Sequence, residues 1–363
     1  MNRPFHILIL QVIFFCCGDA KENSRQLMPS ELLAVNRTWH ERVYPELASA
    51  EFPVRHWLSA CVNSGRSKES ICCHEWEGQV QRSLPLVQEQ MSHLLAAPTL
   101  RSGRGQVLRP YVPTWKCNGA LERVPPPQGK QEDDGSKWMC GFQAIGTKAA
   151  SQSCVTYSFG SNANVVFEKA VKKQHPSCDI ITFDPTLNSE KTNIMRKHET
   201  SGLLKFVDQG LGFQDGTISF AERAINVSTL RTLVRKLGHN GKMIDILKVD
   251  IEGAEFGAIF SRGGLRNCLA TYRHEDRNVI GHHIGQILME VHVLPSDSSG
   301  PTEYFLGQAK TAQLFATFYS CGFMIFHREK NPLAGRGGLY EYSLVSSSQA
   351  FRAFESSQTD CKP

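Results

Sequence analysis

The sequence predicts an α/β protein whose main domain is an open, mostly parallel sheet of seven strands, preceded by a mainly helical, cysteine-containing region. After Trp138, short runs of β-branched and aromatic residues alternate with helical stretches, a pattern typical of βαβ units. The last two runs alternate aromatic and polar residues, and we expect them to be antiparallel. The predicted strands are 154–158, 179–183, 203–207, 244–249, 286–293, 322–327 and 340–345, and the predicted helices are 163–173, 228–237, 254–260 and 304–319.

The first residues have the pattern of a cleavable secretory signal. Arg3 precedes an apolar run from Ile7 to Cys17, and small residues follow up to Ala20. The run is too short to cross a bilayer, because a spanning helix needs roughly 18 apolar residues. We therefore predict a signal peptide at 1–20 and a secreted protein. Residence in the ER or Golgi lumen, through an uncleaved anchor, is the alternative, and no later segment predicts a membrane span.

Composition divides the remaining chain into four parts. Amphipathic helical patterning characterises the first part, in which Trp39, Trp57 and Trp76 are candidate core residues. A stretch rich in Pro, Gly and charge then predicts a linker. The parts are a helical N-terminal region at 21–98, a linker at 99–137, the main domain at 138–350 and a C-terminal tail at 351–363.

Cysteine usage agrees with an oxidising compartment. Twelve cysteines fall to ten when Cys16 and Cys17 leave with the signal peptide, and an even number favours several disulfides. The pairing is left open. We expect Cys61, Cys72, Cys73 and Cys117 to form disulfides that stabilise the N-terminal region. We expect Cys154 and Cys178 to be small buried residues that open strands. The sequence contains no CxxC motif, so no structural zinc site is predicted.

Two further features concern partners and modification. Asn36 and Asn226 each begin an N-x-Ser/Thr triplet and are predicted glycosylation sites in a luminal protein. The net charge of +5 is small and forms no basic block. It therefore gives no indication of a nucleic-acid partner.

Polar residues follow the first two strands of the main domain. Gly160 permits close backbone approach to a ligand, and Asn162 or Asn164 is suited to cap the next helix. Asp184 ends the second strand, 24 residues after Gly160, where Rossmann-type domains place an acid that binds ribose hydroxyls. The alternative is an ordinary strand-to-helix turn, with Asp184 starting a turn at Pro185. Asp215, in the loop after the third strand, is a candidate for contact with an adenine amino group.

Acids follow the fourth strand, and an acid and a histidine end the fifth. Asp250 and Glu252 come directly after an apolar strand, and Glu255 suits the start of the next helix. Glu290 and His292 share one face of the fifth strand, which adjacent pairing would bring near Asp250. This set is able to act as a general base or to ligate a divalent cation, although we predict no metal. A structural hydrogen-bonded pair of Glu290 and His292 is the alternative.

Four segments together resemble a known family. CVTYSFGSNANVVFEKA, DIITFDPT, ILKVDIEGAEF and ILMEVH occur in the order found in FkbM-like and methyltransferase-like proteins, and Trp138-Met139-Cys140 is similar to the opening of their secreted group. The resemblance implies a Rossmann-like class I methyltransferase sheet with S-adenosylmethionine as cofactor. It assigns Gly160 to the cofactor loop, whose amides would receive the methionine carboxylate, Asp184 to the ribose and Asp250 with Glu252 to the acidic motif.

The sequence thus predicts a methyltransferase of the secretory pathway whose acceptor is unknown, with an oxygen nucleophile favoured. A secreted interaction protein on a methyltransferase scaffold is one alternative. A Golgi nucleotide-sugar glycosyltransferase, using Asp250-Ile251-Glu252 to hold a metal and diphosphate, is another. The candidate catalytic residues are Asp250, Glu290 and His292, and the candidate cofactor residues are Gly160, Asn162, Asp184, Asp215 and Asp250.

Overall fold

A computed structural model describes most of the chain from residue 51 onward. The predicted signal peptide, Asn36 and Trp39 lie outside the described residues, and so does the first part of the predicted helix 304–319. The described residues are 51–95, 108, 111–126, 135–145, 154–220, 223–259, 261, 263–265, 283–293, 311–312, 314–331, 338–358 and 361.

The described residues form twelve strands, seven α-helices and one 3-10 helix (Phe142–Ala144) with defined bounds, and residues 314–320 are also helical. The strands are β1 (Leu121–Val124), β2 (Lys137–Cys140), β3 (Val155–Phe159), β4 (Asp179–Phe183), β5 (Lys205–Val207), β6 (Gly210–Leu211), β7 (Gly216–Phe220), β8 (Arg223–Ser228), β9 (Ile244–Val249), β10 (Ile284–Val293), β11 (Phe323–Lys330) and β12 (Gly338–Ser346). The helices are α1 (Glu51–Asn63), α2 (Ile71–Leu95), α3 (Val166–Gln174), α4 (Ser189–Thr200), α5 (Leu230–Lys236), α6 (Glu255–Ile259) and α7 (Ser347–Ser357).

Seven strands form the central sheet in the order β11-β12-β10-β9-β3-β4-β5. Pairing is parallel from β10 to β5, and β12 runs antiparallel to both of its neighbours. The chain first builds the sheet outward from β3 to β5 and then returns to β9 on the other side of β3. The order therefore reverses between β3 and β9, which is where open α/β sheets bind ligands. The predicted α/β fold, with its antiparallel final pair, is confirmed.

Alternating side chains of the central strands fill two separate hydrophobic layers. Val155, Tyr157 and Phe159 of β3 belong to the layer on one face of the sheet. Ile246 and Leu288, from the neighbouring β9 and β10, belong to the other layer, together with residues of α3. Because side chains alternate along a strand, burial on both faces makes these strands almost continuously apolar.

The N-terminal helices share the first of these hydrophobic layers. Trp57 and Trp76 are fully buried, and both rings pack against Trp115. The Trp57 indole N–H donates to the backbone carbonyl of Gly322 at 2.9 Å. Both tryptophans are thus core residues, as the sequence indicated, and they join the helical region to the sheet.

Ordered structure crosses two of the predicted domain boundaries. β1 lies within the predicted linker 99–137 and pairs antiparallel with β2, with Leu121 opposite Cys140. Helix α7 continues past residue 350 into the predicted tail. Composition marks the Pro- and Gly-rich segment between β1 and β2, but it does not reveal that these two strands pair with each other.

Disulfides connect distant parts of the chain. Cys154 and Cys178, expected to be free buried residues, are bonded to each other across the amino ends of β3 and β4. Cys321 is disulfide-bonded as well. The other described pairs are Cys61–Cys73, Cys72–Cys361 and Cys117–Cys140. The last two link the predicted N-terminal parts to the main domain and to the C-terminus.

Helix α4 and the hairpin of β7 and β8 are among the elements that had no counterpart in the sequence prediction. Helix α4 buries only Met195, so its sequence lacks an apolar period. β7 and β8 form a hairpin where we expected a loop, since most of the β7 side chains are exposed. None of the helices in the described part of the chain is long and apolar enough to span a membrane.

Candidate active site

The ends of β3 and β9 meet at the point where the strand order reverses. Gly160 directly follows β3 and has φ of 75°. A Cβ atom at this position would lie 1.6 Å from the backbone carbonyl oxygen of Asp250, the residue that follows β9. The Asp250 amide donates to the carbonyl of Phe159 at 3.0 Å. Only glycine fits here, because both the conformation and the contact exclude a side chain.

Asp184 holds the loop that follows Gly160. Its Oδ2 accepts hydrogen bonds from the amides of Ser161 and Asn162 at 2.9 and 2.8 Å. Its Oδ1 accepts from the amide and hydroxyl of Thr186 at 3.1 and 2.7 Å. The carboxylate is buried and its acceptor positions are used within the protein. A ribose contact by Asp184 would have to displace one of these donors, and it stays a prediction.

The amides that we expected to be exposed in this loop are also used internally. The Ala163 amide donates to the Ser161 hydroxyl, and the Asn164 amide donates to the Ser161 carbonyl. Asn162 and Ala163 both have positive φ, 48° and 61°. The left-handed conformation costs non-glycine residues on the order of 1–3 kcal/mol each, so the surrounding bonds must hold it. The loop therefore has a defined shape, but it offers no free amide to a methionine carboxylate in this state.

Asp215 is not part of this site. Its carboxylate accepts from the Thr229 amide at 2.9 Å and from the Thr232 hydroxyl at 2.8 Å, at the start of α5. Partial burial acts to raise the pKa of Asp215, but these hydrogen bonds outweigh it and hold the pKa below its usual range. In the structure Asp215 stabilises a helix terminus, and contact with an adenine stays a prediction.

The structure does bring Asp250, Glu290 and His292 together, with Glu252 beside them, in what we call the acid–histidine cluster (Asp250, Glu252, Glu290 and His292). Parallel pairing of β10 with β9 places Met289 opposite Val249, so the next residues on each strand are neighbours. His292 Nε2 lies 3.4 Å from Glu252 Oε2 and 3.9 Å from Glu290 Oε2. The convergence predicted from strand periodicity is therefore present.

A buried carboxylate orients His292. Glu255 has no solvent exposure, and its Oε1 accepts from the His292 backbone amide at 2.7 Å and from Nδ1 at 3.2 Å. Burial acts to lower the pKa of His292, but the bond and charge of Glu255, with Glu290 and Asp250, raise it to about 9. With Nδ1 directed to Glu255, Nε2 faces the other carboxylates of the cluster.

Glu290 is bonded to Asn331 rather than to His292. The Asn331 amide group donates to Glu290 Oε1 at 2.6 Å, while the distance of 3.9 Å from His292 Nε2 to Oε2 is too long for a hydrogen bond. The alternative of a simple Glu290–His292 hydrogen-bonded pair is therefore not what the structure shows. Burial and the nearby carboxylates of Asp250 and Glu341 raise the pKa of Glu290 to about 7.

Asp250 is a carboxylate between two lysines. Burial acts to raise its pKa, but the positive charges of Lys248 and Lys137 outweigh that effect, and the pKa lies below its usual range. Lys137 Nζ is 3.9 Å from Asp250 Oδ2, and Lys248 Nζ donates to the Gly160 carbonyl at 2.8 Å. Lys248 thus connects the end of β9 to the loop after β3.

Sequence reasoning missed Lys137 and Glu341. The Lys137 side chain is 2% exposed and its Nζ contacts Glu341 Oε1. Burial acts to lower the pKa of Lys137, but the charges of Glu341 and Asp250 outweigh that effect and raise the pKa above its usual value. The side chain is therefore a buried cation. Lys137 lay at the edge of the predicted linker and carried no signal. Glu341 could have been found, because it lies directly opposite Glu290 in the pairing of β12 with β10.

Of the two predicted glycosylation sites, one lies in the described part of the chain. Asn226 is exposed on β8, where its side-chain oxygen accepts from the Thr217 hydroxyl at 3.0 Å. Its modification stays a prediction.

Comparison with known proteins assigns the chain to a family. A family model described as a methyltransferase domain matches residues 97–346, more than half of the chain. The chain belongs to this methyltransferase domain family. The sheet order and the reversal between β3 and β9 agree with that assignment. No curated protein sequence matches the chain.

Several solved structures of methyltransferases are similar to this methyltransferase domain protein at low sequence identity. Because their TM-scores are all 0.26, we base no argument on them. One is the mitomycin 7-O-methyltransferase MmcR, with 12% identity, covering 94% of this chain and 82% of that chain, and a TM-score of 0.26. Another is the pyocyanin biosynthetic protein PhzM, with 11% identity, covering 94% of this chain and 83% of that chain, and a TM-score of 0.26. A third is CalO1, a methyltransferase in calicheamicin biosynthesis, in its SAH-bound form, with 9% identity, covering 94% of this chain and 83% of that chain, and a TM-score of 0.26.

The family assignment decides between two of the enzyme classes considered from sequence. A methyltransferase domain covers all four segments that carried the resemblance, including Asp250-Ile251-Glu252. The protein is a methyltransferase by family, and the nucleotide-sugar glycosyltransferase hypothesis loses its support.

Proposed function

We propose that this protein is an S-adenosylmethionine-dependent methyltransferase of the secretory pathway that methylates an oxygen nucleophile. The observation that carries the proposal is the contact of Gly160 with Asp250 where the strand order reverses, with the acid–histidine cluster next to it. In open α/β sheets this crevice is the ligand-binding position. A set of acids and a histidine beside it is suited to proton transfer from an acceptor.

The residues at the crevice fit the proposed cofactor in position and in charge. To hold it at the ends of β3 and β4, the loop shaped by Gly160, Asn162 and Asp184 would have to exchange some of its internal hydrogen bonds for bonds to the cofactor. Asp250, kept ionised by its neighbours, contributes negative charge next to a cofactor that carries a sulfonium and an ammonium group. When bound, S-adenosylmethionine supplies an electrophilic methyl group.

The acceptor hydroxyl would be oriented by the acid–histidine cluster. Glu290 is placed to take its proton, because Asn331 binds Oε1 and leaves Oε2 directed toward the cluster. Asp250 and His292 are held by Lys137 and Glu255 respectively, and they position the hydroxyl through charge and hydrogen bonding. Most of the rate enhancement would come from this positioning, as expected when two reactants are aligned in one cleft.

The compartment is supported by the covalent structure. Four described disulfides connect the chain, and such bonds persist mainly in secreted and luminal proteins. The signal pattern up to Ala20 and the exposed side chain of Asn226 agree with this location. We therefore place the protein outside the cell or in the lumen of the ER or Golgi.

A secreted protein that uses the fold without catalysis remains the second candidate. It is favoured by one observation, the internal use of the loop amides between Ser161 and Asn164. In that case the crevice would bind no cofactor, since fold alone does not determine function.

Binding of S-adenosylhomocysteine separates the two candidates. We expect the methyltransferase to gain about 2.7 kcal/mol of stability when the ligand is present at 100 times its Kd. Asp184→Ala should abolish the gain, because the loop loses its internal anchor. Asp179→Asn changes an exposed acid at the opposite end of the same strand and should leave the gain intact. The absence of any shift in melting temperature at millimolar ligand would contradict the methyltransferase proposal.

A further inference from the structure

We propose that Asp250, Glu252 and His292 form a binding site for a divalent cation. One ligand atom from each side chain lies within 4.8 Å of the other two, and no other group of this kind occurs in the described part of the chain. Two carboxylates and an imidazole nitrogen make a mixed oxygen and nitrogen donor set, which proteins use for divalent metals.

The three donors come from two neighbouring parts of the sheet. Asp250 and Glu252 belong to the turn between β9 and α6, and His292 lies on β10, which pairs directly with β9. The Glu252 side chain is 74% exposed, whereas His292 is 6% exposed. The set is therefore open to solvent on the side of Glu252 and closed on the side of His292. A cation could enter from that open side and keep water as additional ligands.

A partner outside the set orients the histidine as a metal-ligating histidine is usually oriented. Glu255, fully buried, accepts from His292 Nδ1 and from the His292 backbone amide. This bond leaves Nε2 as the nitrogen that faces Glu252 Oε2 at 3.4 Å. Histidine ligands in metal sites almost always donate their other ring N–H to a carboxylate or carbonyl in this way.

The balance of charges around the set is a second indication of a cation site. Glu341 Oε2 is buried and has no hydrogen-bond partner among the described residues. Its strand neighbour Glu290 uses one oxygen for Asn331, and the other faces His292. The single lysine reaching Asp250 from β2, Lys137, also serves Glu341. The carboxylates of Asp250, Glu252, Glu290 and Glu341 thus outnumber the cationic groups beside them, which are Lys137, Lys248 and His292.

The donor set favours a metal that accepts both carboxylate and imidazole. Carboxylate and water suit Mg²⁺, Ca²⁺ and Mn²⁺, while imidazole suits Zn²⁺ and other transition metals. Mn²⁺ satisfies both preferences and is paramagnetic, so it is the probe of choice. The site adjoins the crevice of the proposed methyl transfer, but cation binding does not depend on that function.

The test measures Mn²⁺ binding to the disulfide-bonded full-length protein by electron paramagnetic resonance, in parallel with S-adenosylhomocysteine binding in metal-free buffer. Glu252→Gln is the main variant, because the Glu252 side chain is exposed and the substitution preserves its shape. Asp250→Asn is the second variant. Glu77→Gln, an exposed acid on α2, is the matched control. His292 is not substituted, because its removal would leave the buried Glu255 carboxylate without the imidazole that binds it.

We expect one Mn²⁺ per chain, with affinity at least about 10-fold weaker in both site variants and unchanged in Glu77→Gln. No Mn²⁺ binding, or equal binding in all four proteins, would overturn the cation site. Mn²⁺ binding without S-adenosylhomocysteine binding would support the cation site and reject the proposed function. Binding of S-adenosylhomocysteine without any binding of Mn²⁺ would reject the cation site and support the proposed function. The two failures are therefore distinguishable.

Discussion

At the scale of single residues, the site depends on backbone contacts as much as on side chains. Gly160 is required by the carbonyl of Asp250, and Asp184 is committed to the loop that Gly160 begins. A sequence pattern identifies both residues as functional because of where they follow strands. It does not show that both residues contact other parts of the same protein.

Replacement of Gly160 by alanine should destabilise the protein strongly. Gly160 and Gly202 have nearly the same φ, 75° and 76°, but only Gly160 has a neighbour where the Cβ would be placed. We expect Gly202→Ala to cost about 1–2 kcal/mol, the cost of the left-handed conformation for an L-residue. Gly160→Ala should cost clearly more, because a backbone carbonyl cannot move aside. Urea unfolding of both variants measures the difference, and equal losses would contradict the assigned contact.

His239 should make stability decrease in mild acid. Burial, with a smaller effect of Lys242, lowers its pKa from the ordinary 6.5, and its Nδ1 shares a hydrogen bond of 2.9 Å with the Tyr157 hydroxyl. Below pH 6.5 the unfolded chain binds a proton that the folded protein resists. The stabilisation is therefore complete above that pH and is lost as the pH falls below it.

The variant His239→Gln isolates this contribution. Between about pH 7.5 and 5.5 its free energy of unfolding should fall less than that of the unchanged protein, because the titrating group is gone. Chemical unfolding at a series of pH values gives both curves. Parallel curves would show that His239 titrates alike in the folded and unfolded states.

At the scale of elements, periodicity predicted the strands and much of the site. β3, β4, β9 and β10 are buried on both faces, and the residues at their carboxyl ends gave Gly160, Asp184, Asp250, Glu290 and His292 without further information. α4 and the hairpin of β7 and β8 could not be predicted, because they bury few side chains. Lys137 could not be predicted either, since its place at the cluster follows from the contact of β2 with β10 and β12, which lie far along the chain.

The β1–β2 hairpin should depend on the bond between Cys117 and Cys140. Besides this disulfide, Gln286 on β10 exchanges two hydrogen bonds with the Cys140 backbone, of 3.0 and 2.7 Å. We expect the double variant Cys117→Ala/Cys140→Ala to lose about 2–4 kcal/mol of stability, as for other disulfides. Hydrogen exchange should increase in β1 more than in β9. A uniform increase over the whole sheet would contradict a local role for this bond.

At the scale of the whole molecule, the helical region and the sheet form one hydrophobic unit. Trp57, Trp76 and Trp115 lie in the same buried cluster as the residues of β3 and β9, and Cys72 is bonded to Cys361 near the C-terminus. The division of the sequence into a helical region, a linker and a main domain thus describes composition, while packing joins these parts.

The replacement Trp57→Ala should therefore affect the entire protein. We expect a loss of roughly 3–5 kcal/mol, the usual cost of removing a buried aromatic ring, and unfolding in a single transition. Tryptophan fluorescence and far-UV circular dichroism, followed in the same denaturant titration, should report coincident curves. If the helical region unfolded first and left the sheet intact, the two parts would be independent domains.

The central claim concerns what binds where β3 and β9 meet. Ultraviolet crosslinking of methyl-tritiated S-adenosylmethionine, followed by peptide mapping, tests it most directly. The account predicts labelling of peptides that contain the loop after Gly160 or the turn after Asp250, with the label competed away by S-adenosylhomocysteine. Absence of label, or label confined to peptides away from the ends of β3, β4 and β9, would contradict the account.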